Sequence, residues 1–127
     1  MTIRSLFFTA ILLAGAPAML AAQEDEEFCP EGRTQLEMNS CAADELARAD
    51  TVLNASYQEL LRVVEPHRVE AFRAAQRAWI RFRDAECEFE ASEFAGGSME
   101  PMIHTLCLAH LTRERTKEFD SILGEGG

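Results

Sequence analysis

The chain has 127 residues, with 12 basic and 22 acidic side chains and a formal net charge of −10 at pH 7. That length suits one domain and is short for two. The charge excludes nucleic-acid binding by phosphate neutralisation and attraction to anionic lipid, and it favours a cationic protein partner.

Residues 1–22 read as a secretory signal peptide. Arg4 lies in a short charged start, an apolar run extends from Leu6 to Leu13, and small residues follow. The run is too short to span a bilayer, which takes about 20 apolar residues. The formal A-x-A site is Ala16-Pro17-Ala18, but cleavage after Ala22 fits better because the polar run QEDEE begins there. The first cysteine, Cys29, is not at that site, so no lipid anchor and no stable membrane anchoring are expected. Removing residues 1–22 takes away Arg4 and no acidic residue, which leaves 105 residues with a net charge of −11. The expected location is the periplasm.

Residues 23–34 are an acidic start followed by a turn, with Pro30 and Gly32 in FCPEGRT. From Gln35 to about Val64 the pattern is helical. Leu46, Asp50, Leu53, Tyr57, Leu60 and Val64 follow one another at spacings of four, three, four, three and four. Glu65-Pro66 breaks this helix, because the residue before a proline is pushed out of the helical region. A second helix is predicted from Pro66 to about Phe94, with Val69, Phe72, Gln76, Trp79, Arg83 and Cys87 as its stripe. Gly96-Gly97-Ser98 ends it. A third helix is predicted from Met99 to about Leu123, with Ile103, Cys107, Leu111, Arg115 and Ile122 near one side. Residues 124–127 are expected to be a flexible tail. Short connections favour antiparallel neighbours. The predicted fold is therefore all-α, a single three-helix antiparallel hairpin assembly over residues 35–123.

Polar side chains interrupt these stripes. Asp50 sits between Leu46 and Leu53, and Gln76 and Arg83 flank Trp79. Folding the chain at 65/66 sets Asp50 level with Arg83 and Asn54 level with Gln76. A buried charge needs a partner. An Asp50–Arg83 ion pair is predicted, with Asn54 and Gln76 hydrogen-bonded beside it, as a structural polar core. Trp79 and Phe82 read as core filling, with Phe89 one turn around.

No catalytic constellation is expected. An aspartate beside a guanidinium is driven toward a low pKa and makes a poor acid or base near neutrality. No cofactor is implied. His104, Cys107 and His110 lie near one helical face at metal-ligand spacing, but an oxidised Cys107 cannot act as a thiolate ligand, so no metal is expected. Four cysteines, Cys29, Cys41, Cys87 and Cys107, in an exported chain imply two disulfides.

Six pieces follow one another along the chain: Cys29 through Thr34-Gln35, Met38-Asn39-x-Cys41, Ala49-Asp50-x-x-Leu53-Asn54-x-x-Tyr57, Gln76-Arg77-Ala78-Trp79-Ile80-x-Phe82-Arg83-Asp84-x-x-Cys87, Gly96-Gly97-Ser98-Met99, and Cys107 through Leu111-Thr112-x-x-Arg115. In this order and spacing they resemble the LprI-like lysozyme-inhibitor N-terminal domain family, small exported proteins mostly of unknown function. The resemblance covers residues 29 to about 119. It implies an all-helical fold with paired cysteines and, as the sharpest expectation, inhibition of a basic c-type lysozyme. Alternatives are an envelope interaction or stress module with another partner, or a cell-wall enzyme. Folding the last two helices at Gly96-Gly97 sets Cys87 opposite Cys107 and leaves Cys29 for Cys41. Cys41–Cys87 is the rival pairing. The loop Gly96, Gly97, Ser98, Met99 and Glu100, with the acidic helix faces, is the candidate binding surface.

Overall fold

The computed structural model describes Cys29 and residues 34–125. The expected leader, 1–22, and most of the acidic start lie outside the described residues. Among the described residues three long helices and one short 3-10 turn make up the fold. Helix α1 spans Gln35–Val63, a 3-10 turn spans Pro66–Arg68, α2 spans Val69–Ser92 and α3 spans Glu100–Glu125.

Local sequence explains the ends. Thr34 and Glu37 form a reciprocal capping box at the start of α1. The Glu37 N–H donates to the Thr34 hydroxyl at 3.3 Å, and the Thr34 N–H donates to the Glu37 carboxylate at 2.8 Å. Val64 and Glu65 are extended, with ψ of 133° and 138°, and Pro66 opens the next turn. After α2 the chain turns through Gly96, whose φ of 77° is left-handed and favours glycine. Helix α3 continues through Gly124 to Glu125, so the first half of the expected flexible tail is helical.

Cross-helix contacts give the register. Gln35 meets Met102, Glu45 meets Arg113 and Ser56 meets Asp120, so α1 and α3 run parallel. Gln76 meets Arg115, Arg83 meets Thr112 and Cys87 meets Cys107, so α2 and α3 run antiparallel. Helix α3 packs on both others, most extensively on α1. It is the central element, and this arrangement spreads its buried positions over two faces.

The apolar core lies where α1 meets the far half of α3. Leu53, Leu60 and Phe119 are buried, with Tyr57, Phe72 and Trp79 packed around them. The Tyr57 and Phe72 rings stack at 5.2 Å, and Phe72 meets Phe119 edge-on at 5.4 Å. Burying side chains such as Leu60 and Phe119 is worth about 1.5–3 kcal/mol each. Alanines Ala42, Ala49 and Ala109 let the parallel helices approach closely at the other end.

Cys29 pairs with Cys41 and Cys87 pairs with Cys107, at Cα separations of 5.7 and 5.4 Å. The rival Cys41–Cys87 pairing does not occur. Phe82 and Phe89 are not core. They are 57% and 73% exposed, because the face of α2 that carries them points away from α3.

Candidate functional site

Two regions hold the residues singled out by sequence. The first is a polar seam between α2 and α3. Arg83, on the inner side of α2, donates through Nη1 to the Thr112 hydroxyl at 3.2 Å. Its Nε and Nη2 donate to Asp84, the next residue, at 3.0 and 2.9 Å. Asp50 lies 3.7 Å from Nη1, at ion-pair distance, but its side chain is 47% exposed. The guanidinium fork therefore grips Asp84, and Asp50 is a peripheral partner.

The expected Asn54–Gln76 pair does not form. Asn54 faces solvent. Gln76 is buried and accepts a hydrogen bond from Arg115 Nε at 3.1 Å. The reason is packing order: α3 supplies the polar partners that hairpin register had assigned to α1. Arg115 also donates to Glu118 at 2.6 Å, and its guanidinium lies 4.7 Å from the Phe119 ring centre. Trp79 is half-buried between two guanidiniums, Arg83 at 5.3 Å and Arg115 at 5.7 Å. Such stacking contributes about 0.5–1 kcal/mol per pair at partly exposed sites. This seam bonds helix to helix. Arg115 and Thr112 are the parts sequence reasoning missed, although Arg115 already stood out as a charge on a helical stripe.

The second region is the loop between α2 and α3. Residues 95–99 are exposed. The Gly96 N–H donates to the Glu100 carboxylate at 2.9 Å, and the Gly97 N–H donates to the Phe94 carbonyl at 2.9 Å. Glu100 thus closes the turn, leaving Ser98 and Met99 as its outward side chains. The Cys87–Cys107 bond holds this end of the hairpin together. Glu86, Glu88, Glu90 and Glu93 are all exposed on the approach to the loop, so this end is strongly acidic.

Elsewhere, an apolar cleft of about 360 Å³ opens between the end of α1, the start of α2 and the end of α3. Its described lining includes Leu60, Ala71, Phe72 and Phe119, and contains no Ser, Cys or His to act as a nucleophile or base. Its charged lining residues are Arg68, Arg115 and Glu118, and the last two are bonded to each other. Among the described residues no group of three His, Cys, Asp or Glu side chains could hold a metal. Two carboxylates titrate below their usual range, for surface reasons. Glu70 accepts a hydrogen bond from Arg77, and Glu114 accepts one from Lys117.

The architecture defines a small helical domain stapled by two disulfides. The family model for lysozyme inhibitor LprI matches residues 29–119, and the chain belongs to that family. It is 36% identical over 126 residues to an uncharacterized protein of Rhizobium meliloti (strain 1021), with 89% of each chain covered. No solved structure matches the chain. Family membership and the two disulfides point to a compartment outside the cytoplasm. Among the described residues no helix is long and apolar enough to cross a membrane.

Proposed function

We propose that the chain is exported to the periplasm through residues 1–22 and there captures and inhibits a basic c-type lysozyme. Membership of the lysozyme inhibitor LprI family is the observation that carries this reading. The net charge of −10 supports it, because an acidic surface steers a basic partner into encounter. The contact surface in this reading is the loop at Gly96–Glu100 with Glu90 and Glu93 beside it. Met99, 41% exposed, supplies an adaptable apolar contact within the acidic surroundings.

The test is a cell-wall lysis assay with the oxidised chain titrated into c-type lysozyme at low and moderate salt, beside an unrelated protein of equal acidity. Near-stoichiometric inhibition that survives moderate salt and is absent from the control is the expected result. Inhibition matched by the control and abolished by salt reduces the effect to bulk charge and refutes the proposal. Mass spectrometry of the exported chain, with a mature start at Gln23, tests the leader.

A further inference from the structure

Helix α2 carries apolar side chains on two faces. Its inner side packs Phe72, Trp79 and Cys87, with Gln76 and Arg83 among them. Its outer side carries Ala71, Ala75, Ala78, Phe82, Ala85 and Phe89, at spacings of four, three, four, three and four. All six are exposed. Alternating spacings of three and four form the seam of a two-helix coiled coil, in which the stripe stays on one side over the whole helix. Nothing within the described chain covers it.

The charges beside this stripe select its occupant. Toward the start of α2 lie Arg68, Arg73, Arg77 and Arg81, with Glu70 among them and paired to Arg77, and toward its end lie Asp84, Glu86, Glu88, Glu90 and Glu93. On α1 and α3 nearby opposite charges pair readily: Arg48 with Glu45, Arg62 with Glu59, and Lys117 with Glu114. Arg68, Arg81, Glu86, Glu88 and Glu93 make no ion pair among the described residues. A basic half and an acidic half on one helix complement each other only when a second such helix runs the opposite way. A parallel copy would set Arg81 beside Arg81.

We infer that the outer face of α2 is the seam of an antiparallel homodimer. A twofold axis near Phe82 sets Phe89 of each copy against Ala75 and Ala78 of the other, large against small. Ala71 and Ala75 also line the apolar cleft, which gives the incoming phenylalanine a recess. Arg81 of each copy then reaches Glu88 of the other along one flank. The interface is isologous, the same surface used twice, so it closes at two copies. Local complementarity also overcomes the long-range repulsion between two chains of net charge −10.

Sedimentation velocity of the oxidised chain over a wide concentration range tests this. The wild type is expected to reach dimer mass. F82E and F89E, at exposed positions that leave the core intact, are expected to remain monomeric with unchanged helical circular dichroism. R81E and E88R are each expected to weaken the dimer about tenfold, since each converts two symmetric attractions into repulsions. The double variant R81E/E88R is expected to restore it, because the swapped charges still face each other across the axis. A wild type monomeric at every concentration overturns the proposal, as does a dimer indifferent to F82E and F89E. Restoration failing in the double variant overturns the antiparallel arrangement. A monomeric wild type whose lysozyme inhibition is lost in F89E would assign the stripe to that partner instead.

Discussion

Arg83→Ala is the substitution that separates a guanidinium locking α2 to α3 from one that neutralises a buried aspartate. Three interactions disappear. The bond to the Thr112 hydroxyl involves a charged donor and an acceptor residue that is 0% exposed, and is worth about 1.5–3 kcal/mol. The stack on Trp79 adds about 0.5–1 kcal/mol. The contacts with Asp84 and Asp50 involve exposed carboxylates and contribute about 0–1 kcal/mol together. The expected loss is about 2–5 kcal/mol, a fall in melting temperature of about 10 °C or more for a domain this size. Asp50→Asn, by contrast, should cost under about 1 kcal/mol, because Asp50 is half-exposed and only grazes the guanidinium. Urea unfolding of the oxidised chain measures both, and a double-mutant cycle of Arg83→Ala with Thr112→Val isolates the α2–α3 bond. An Asp50→Asn variant as damaged as Arg83→Ala would refute this reasoning and restore the aspartate as the centre of the cluster.

Other consequences are as direct. Removing the Cys87–Cys107 bond by a paired Cys→Ala change should cost about 3 kcal/mol, from the unfolded-chain entropy of a loop with a sequence separation of 20, and urea unfolding reads it. Gly96→Ala should cost about 1–2 kcal/mol even though a Cβ there meets nothing within 4 Å, because the φ of 77° is itself unfavourable for alanine. Glu70 should titrate below the usual carboxylate range by NMR, and Arg77→Ala should return it toward that range. The sign follows: a carboxylate whose pKa is depressed in the folded chain stabilises it above the unfolded pKa, and that contribution disappears as pH falls through the folded value.

The three helices were legible because their stripes and breakers agree. Leu53 and Leu60 on α1, Gln76 and Cys87 on α2, and Cys107 on α3 were all placed inward by periodicity, and Pro66 and Gly96 mark the boundaries. Polar members of the α2 stripe were also recognisable as inward-facing. Their partners were not, because hairpin register says which residues are level along two helices and not which third helix lies against them. Gln76 was matched to Asn54 by height, yet Arg115 reaches it from α3. Thr112 and Thr116 escaped notice because a threonine on a helix has the same local pattern at a seam as on a surface, and only the packing of the other helices on α3 buries them. Phe82 misled for the opposite reason. A large apolar residue was assigned to the core by type, although its position, three residues after Trp79 and one before Arg83, placed it off the inner stripe.

That misassignment bears on how the molecule works. In a small domain an amphipathic helix ordinarily turns its apolar face inward. Here α2 attaches to α3 by a disulfide, two arginine-centred hydrogen bonds and a tryptophan held between guanidiniums. Directional bonds of this kind, with Phe72 packed in the core, hold the helix in place without using Phe82 or Phe89. Those two are thereby available on the outside, where a lone monomer gains nothing from them and carries an aggregation risk. The cost is offset if the outer stripe is covered in the working state. Attachment and association then occupy opposite faces of one helix, so outer-face substitutions can abolish assembly while leaving the seam, the disulfide and the acidic loop undisturbed.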